Sequence, residues 1–116
     1  MIRLKNVTKI FKNGFVALKG IDLVVGKEEF IYLVGPSGSG KSTLLNLLYR
    51  AEIPSNGDVY IDNIRINGLP EKKIPYLRRN IGVVFQDFKL LPKRTVYENV
   101  AFALRVMHYS RSRIRR

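Results

Sequence analysis

Cysteine is absent from the 116 residues. That excludes disulfides and thiolate metal sites, and it fits a cytosolic protein. Histidine occurs once, at position 108, so no histidine cluster is available for metal binding. No apolar run approaches the roughly 18 residues of a bilayer-crossing helix. The opening residues, MIRLKN, lack the apolar stretch of a secretory leader, and none is expected there. Acid is scarce: 9 Asp+Glu stand against 21 Lys+Arg, for a net charge of +12. An imbalance of this size points to an anionic partner such as a nucleotide, a nucleic acid or an anionic membrane surface. Arg105, Arg111, Arg113, Arg115 and Arg116 fall in the last dozen positions with no acid among them. Such a run reads as a solvated helix face, a frayed tail or a membrane-proximal surface. No aromatic residues are interleaved in the way single-stranded nucleic acid requires, so no nucleic-acid partner is expected.

What is present has the composition of one small globular domain, with 46% hydrophobic residues and no low-complexity run or internal repeat. "IRLKNVTKIF" (2–11) partly alternates apolar and polar residues and predicts a half-buried strand. "NG" at 13–14 predicts a tight turn, and a second strand follows over about 15–25. "FIYLV" (30–34) is a continuous apolar run entering a glycine loop, the pattern of a buried central strand. "KSTLLNLLYR" (41–50) reads as a helix. "DVYIDN" and "IRI" read as a short strand pair. "KKIPYLRR" (72–79) reads as a short helix with Pro75 in its first turn. Residues 81–85 form a second buried strand on this reading. Thr95 and Glu98 have capping-box spacing ahead of an apolar stripe, so a helix is expected over 95–107.

The strongest motif is "GPSGSGKST" (35–43). It satisfies Gly, four residues, Gly-Lys-Ser/Thr. At an average glycine usage of about 7%, a chance match in so short a chain is of the order of half a per cent. The alternative, a Gly/Ser linker or ordinary turn, gives no reason for Lys-Ser-Thr at a helix start. The preceding apolar run and following helix are what a phosphate loop needs. Glycines 38 and 40 let the backbone wrap an anion, and the amides of 38–43 would face it together with the helix dipole. Lys41 is expected to reach the β- and γ-phosphates, Ser42 to hold Mg²⁺, and Thr43 to lie near the α-phosphate. Gly35, Pro36, Ser37 and Ser39 complete the ATP-binding loop.

"IGVVFQDFKLL" (81–91) allows two readings. Phosphoryl transfer needs Mg²⁺ held from two sides, usually by the loop serine and an Asp at a strand end. Asp87 is near that place, but Gln86 directly follows the apolar run, and one step along a strand turns a side chain to the opposite face. A stand-alone phosphotransferase would need Asp87. A transporter-type ATPase would use Gln86 to position Mg²⁺ and the attacking water.

The chain resembles the first half of ATP-binding-cassette (ABC) ATPases. Phe11 before the "NG" turn, "ALKGIDLVV" (17–25), the loop 35–43, "PSNGDVYIDN" (54–63) and "LRRNIGVVFQDFKLL" (77–91) carry the resemblance, which runs over residues 1–106. Within the family, residues 75–104 and "LLYRAEIPSNG" are most similar to the cell-division branch. Lipoprotein-releasing and macrolide-export ATPases share the general pattern and stand as the alternative. The resemblance implies an α/β fold: an ABC-type phosphate-loop core, incomplete here, with an N-terminal antiparallel β-subdomain. The whole chain, 1–116, would be the N-terminal part of an ABC ATP-binding domain, with the helical subdomain starting from about 88. It implies ATP and Mg²⁺ as cofactors, Phe11 stacking on adenine, a glutamine loop at Gln86, and metal contacts from Ser42 and Gln86. It also implies a homodimer of ATPase subunits acting with a polytopic membrane protein at the cytoplasmic face of the bacterial plasma membrane. Phe88, Leu90, Leu91, Pro92 and Tyr97 are candidates for the membrane-partner contact, and Arg78, Arg79, Lys93 and Arg94 for electrostatic help at the membrane. Glu28 departs from the family, which has Gly in that turn; Gly26 is the residue expected to take it over.

Other family features are missing from these residues. There is no Leu-Ser-Gly-Gly-Gln signature, no apolar strand ending in Asp-Glu, and no switch histidine, since His108 comes too early. The expectation is therefore a truncated chain that binds ATP without hydrolysing it alone, or a non-catalytic nucleotide-binding module. A parallel sheet needs both faces covered, so apolar surface around residues 83–85 and 96–107 is expected to be exposed.

Overall fold

A computed structural model describes residues 1–115. The chain divides into two compact units, Met1–Arg78 and Arg79–Arg116.

The first unit is organised by an antiparallel sheet. Strands β1 (Ile2–Ile10), β2 (Val16–Val25), β3 (Asn56–Ile61) and β4 (Ile64–Arg65) lie in the order β2-β1-β3-β4. Leu4 pairs with Leu23 on one side and Val59 on the other. Strict alternation would put Leu4 and Val7 on opposite faces, yet both are buried. The register slips between them, and Asn6 takes a left-handed φ of 47°. A bulge at Asn6 therefore resets the alternation and returns Val7 to the core face. Asn tolerates that conformation better than most residues. Gly57 lies against the bulge: a Cβ there would come within 2.2 Å of the Asn6 carbonyl oxygen.

Helix α1 (Lys41–Leu48) lays Leu44 and Leu47, one turn apart, onto this sheet. They join Leu4, Val7, Leu18, Val59 and Ile66 in the core. The C-terminal end of α1 is held by Arg78. Its guanidinium donates to the carbonyls of Tyr49 (3.0 Å) and Arg50 (3.1 Å), where a cation also complements the helix dipole. Arg78 itself lies in the last turn of the helical stretch formed by a 3₁₀ turn, Glu71–Lys73, and α2 (Ile74–Arg79). The antiparallel β-subdomain, the helix after the glycine loop and the short helix containing Pro75 thus form as expected.

The two expected central strands do not. Residues 30–34 are outside every sheet, and all five are exposed, Val34 to 89%. Residues 81–85 likewise form no strand, and Val84 is 98% exposed. A strand buried on both faces needs hydrogen-bonded neighbours and covering helices. Among the described residues no strand pairs with either segment. The exposure expected around 83–85 is present at Val84, with Val83 and Phe85 half-buried, and exposure extends to 30–34, where burial was expected. The turn at 26–29 also differs. Gly26 is not left-handed; Glu28 is, with φ 60°. The chain therefore places the left-handed residue at 28 even though that residue has a Cβ.

The second unit contains α3 (Val96–Val106) and α4 (Arg111–Ile114). The capping box forms as expected. Thr95 Oγ1 accepts from the Glu98 amide at 3.1 Å, and the Glu98 carboxylate accepts from the Thr95 amide at 2.8 Å. These bonds hold the Glu98 carboxyl below its ordinary range, chiefly through the Thr95 amide and then through Arg94 and the Thr95 hydroxyl. At the other end, Tyr109 N–H donates to Leu104 O and His108 N–H to Arg105 O, with His108 left-handed at φ 62°. That is a Schellman motif. The single histidine is therefore an exposed helix terminator. Arg79, in this unit, donates to the Val106 carbonyl at 3.4 Å.

Candidate nucleotide site

The glycine loop is shaped by steric necessity at one position above all. Gly40, the N-cap of α1, has φ 96°, and a Cβ there would come within 2.4 Å of the Ala17 carbonyl oxygen in β2. Only glycine fits between the helix start and the strand. Gly38, with φ 79°, is left-handed as well, and nothing lies within 4 Å of where its Cβ would stand. The backbone at 38 is thus open on one side, as a cradle for an anion requires.

The first helical hydrogen bond runs from Leu44 N–H to Gly40 O at 2.9 Å. The amides of Lys41, Ser42 and Thr43 precede it in the first turn, and no side chain caps them. They are donors facing out of the positive end of a helix dipole. One expectation needs correction. The Ser39 amide donates to the Pro36 carbonyl at 3.2 Å, so it is not among the amides turned toward a phosphate. The Lys41 ammonium spans the loop. It donates to Gly35 O (2.6 Å), Pro36 O (2.7 Å) and Ser39 Oγ (3.2 Å). The three acceptors hold the cation at the loop. Ser37 and Ser42 are exposed, and Thr43 is half-buried.

Phe11 lies in the turn that feeds β2. Phe11 N–H donates to Phe15 O, and Gly14 N–H, with φ 83°, donates to Phe11 O; both bonds are 2.9 Å. The ring is half-buried and outside the core cluster, so packing alone does not account for it. The turn leads within a few residues to Ala17, the strand carbonyl against which Gly40 sits. The sequence brings the aromatic turn and the phosphate loop to one end of β2.

Gln86 belongs to the second unit. It is exposed and opens a turn in which Phe88 N–H donates to Phe85 O at 3.1 Å. Asp87, the carboxylate that competed with it in the sequence, is engaged inside this turn. Lys89 Nζ donates to its carboxylate at 2.5 Å, which lowers its pKa. Phe88 and Lys89 are both left-handed, with φ 58° and 48°. The rest of the stretch leading to α3 is tied by Asn99. Its side-chain oxygen accepts from the Leu91 amide at 2.7 Å. Among the described residues no group of three or more His, Asp or Glu side chains could hold a metal ion. A hard cation at the phosphate loop would rely on hydroxyl and phosphate oxygens, ligands that Mg²⁺ accepts when it binds with a nucleotide.

The glycine geometry, the uncapped helix start and the lysine across the loop are the features by which P-loop proteins hold triphosphates. A family profile described as "ABC transporter" matches residues 18–116. The chain belongs to the ABC transporter family. To the cell division ATP-binding protein FtsE of Bacillus subtilis (strain 168) it is 54% identical over 107 residues, which are 92% of this chain and 47% of that protein. To FtsE of Mycobacterium tuberculosis it is 51% identical over 108 residues, 92% of this chain and 47% of that protein. The methionine import ATP-binding protein MetN of Helicobacter hepaticus is also similar, at 43% over 99% of this chain and 33% of that protein. Among solved structures, the dimeric bacterial ABC transporter cassette MJ0796 is 45% identical with a TM-score of 0.90, over 99% of this chain and 53% of that one. The same cassette is known bound to ADP and Pi, again with a TM-score of 0.90. The chain spans about half the length of the FtsE relatives it matches.

Three residues of the first unit escaped the sequence reading. Arg78, a candidate for electrostatic help at the membrane, anchors the end of α1. Lys9 and Glu52 form an ion pair of 2.8 Å beside Phe11. They are far apart in sequence, and no local pattern links them.

Proposed function

We propose that this chain is the N-terminal part of an FtsE-type ATP-binding subunit that couples Mg·ATP to a membrane partner in cell division. The observation that carries the reading is the loop at 35–43, where only glycine fits at 40 and Lys41 and the first-turn amides converge. The FtsE relatives support the choice within the family. In this reading residues 35–43 take the triphosphate, Phe11 stacks on adenine, and Ser42 and Gln86 hold Mg²⁺. Bound Mg²⁺ neutralises charge on the phosphates. Lys41 exchanges its loop carbonyls for phosphate oxygens. The first-turn amides of α1 orient the anion. The glutamine loop near 86 and the helical subdomain from about 88 form the side that meets an FtsX-like polytopic membrane protein. Exposed Phe88, Leu90, Pro92 and Tyr97 and half-buried Leu91 support that assignment. Arg94 pairs with Glu98, Arg78 with α1 and Arg79 with the Val106 carbonyl, which leaves Lys93 as the better candidate for contact with anionic lipid. The subunit would act as a homodimer, peripheral to the cytoplasmic face of the membrane. The described residues contain no helix long and apolar enough to cross a membrane. The 116 residues supply no Asp-Glu strand end and no signature motif, so binding without turnover is the activity expected of this chain alone.

Lys41→Ala is expected to weaken ATP binding about ten- to a hundred-fold, from the loss of charge-assisted hydrogen bonds, in a titration with a fluorescent ATP analogue. Steady Mg·ATP hydrolysis by the 116-residue chain, abolished by the same substitution, would overturn the binding-only reading. The MetN similarity favours a second reading, a subunit of a small-substrate transporter. Copurification with a division-type or an importer-type membrane protein decides between them.

A further inference from the structure

Lys9 stands two residues before Phe11, near the end of β1. Its ammonium lies 5.1 Å from the centre of the Phe11 ring, within the roughly 6 Å over which a ring face attracts a cation. Two further groups fix the same nitrogen: the Glu52 carboxylate at 2.8 Å and the Ile53 carbonyl at 2.9 Å. The Lys9 side chain is only 13% exposed, which is unusual for lysine. A mobile surface ion pair would leave it far more open. Glu52 is itself tied to the helix behind the phosphate loop, because the amides of Ala51 and Glu52 both donate to Asn46 O, at 2.8 and 3.2 Å. Ser55 closes the connection. Its amide donates to Thr8 O, and its hydroxyl accepts from the Ile10 amide at 2.9 Å. The segment after α1 is thus bound along the end of β1, and Lys9 is the link that reaches the aromatic ring.

We propose that Lys9, held by Glu52, is a positioning residue for the nucleotide base: its ammonium occupies one face of Phe11 and fixes the ring so that the opposite face stacks on adenine. This rests on the reading of Phe11 as the base platform. It adds a mechanical link from the phosphate-loop helix through Glu52 and Lys9 to the base. A ring in a turn would otherwise rotate about its side-chain torsions and lose ordering on binding. With the cation and its two anchors in place, much of that ordering is built into the free protein.

The test compares ATP with inorganic tripolyphosphate, which lacks a base, in the full chain. Lys9→Met keeps the apolar stem and removes the charge. It is expected to raise the Kd for ATP about two- to five-fold, the range of an exposed to partly buried cation–π contact, and to leave tripolyphosphate unchanged. Lys9→Arg, which keeps a cation, is expected to restore most of the ATP affinity. Unchanged tripolyphosphate binding also establishes that the loop is folded in the variant. An equal loss for both ligands, or no loss for ATP, overturns the proposal. Phe11→Ala separates the two layers. If it leaves the ratio of ATP to tripolyphosphate affinity unchanged, the base-platform reading fails and the proposal with it. If it lowers the ratio while Lys9→Met does not, the Lys9 role alone is overturned.

Discussion

Strand β2 and the segment 30–34 are only a few residues apart in the chain and meet opposite fates. β2, VALKGIDLVV, carries a glycine and two charges, yet it pairs along its length with β1 and buries Ala17 and Leu18. The segment FIYLV is wholly apolar, with no glycine or charge to weaken it as a strand, yet it lies outside the sheet with all five side chains exposed. Propensity does not separate them; pairing does. β2 is joined to its partner by the short turn closed between Phe11 and Phe15, so the loop-closure cost is small. A parallel strand needs neighbours delivered by long crossovers, and the described residues supply none to 30–34. Stability in the first unit is therefore held by the local antiparallel sheet and α1, while the apolar run feeding the phosphate loop contributes little burial of its own.

The largest expected effect tests this directly. Leu47→Ala removes a side chain that is 1% exposed between α1 and the sheet, and it should destabilise the first unit by about 2–5 kcal/mol. Val34→Ala deletes a similar apolar group from the exposed run, and it should change stability by no more than about 0.5 kcal/mol. Denaturant melts of both variants read the contrast. If Val34→Ala costs as much as Leu47→Ala, the apolar run is packed in solution and the contrast between the two regions is wrong.

The same contrast explains what the sequence could reveal. The "NG" turn, the capping box at Thr95 and Glu98, and the phosphate loop are local patterns whose cause lies within a few residues, and each forms where its pattern stands. The two central strands were legible as apolar runs, but their burial depends on neighbours that no run of five residues encodes. The bulge at Asn6 was hidden for another reason. It shows only as a slip in the spacing of Leu4 and Val7, and it needs Gly57, some fifty residues on, to make room. At the candidate site the loop residues were readable from their spacing, but Lys9 and Glu52 were not. A lysine in an alternating strand looks like any solvated charge until the partner forty-three positions away is in place.

A smaller effect separates the turn that leads into the exposed run from the sheet it leaves. Glu28 holds φ 60°, a conformation that costs a residue with a Cβ about 1 kcal/mol relative to glycine. Glu28→Gly is therefore expected to raise the midpoint of thermal unfolding of the first unit by several degrees, roughly 4–8 °C per kcal/mol in a domain of this size. Gly26→Ala, at a position that is not left-handed, should bring no comparable gain. A gain from neither substitution, or from Gly26→Ala in its place, would show that position 28 is not held left-handed in solution.

The smallest expected effect lies in the second unit and depends on pH. Glu98 accepts from the Thr95 amide at 2.8 Å and pairs with Arg94 at 3.2 Å, so its folded pKa is lowered. A group whose folded pKa is depressed contributes stability above its unfolded pKa and loses it as pH falls through the folded value. The α3 cap is therefore intact at neutral pH and weakens in acid, below the ordinary glutamate range. Thr95→Ala removes the other half of the box at all pH values and should cost α3 about 1 kcal/mol. Carboxyl chemical shifts of Glu98 and amide exchange at Asn99 and Val100, followed from neutral to acidic pH, measure both effects. The expected result is faster exchange in acid for the native chain, and in Thr95→Ala faster exchange at every pH with the acid dependence retained, because the backbone amide at 95 still donates to Glu98. If exchange in the Thr95→Ala chain no longer accelerates in acid, the carboxylate acts on α3 through the Thr95 hydroxyl, and its bond to the backbone amide is not what holds that end.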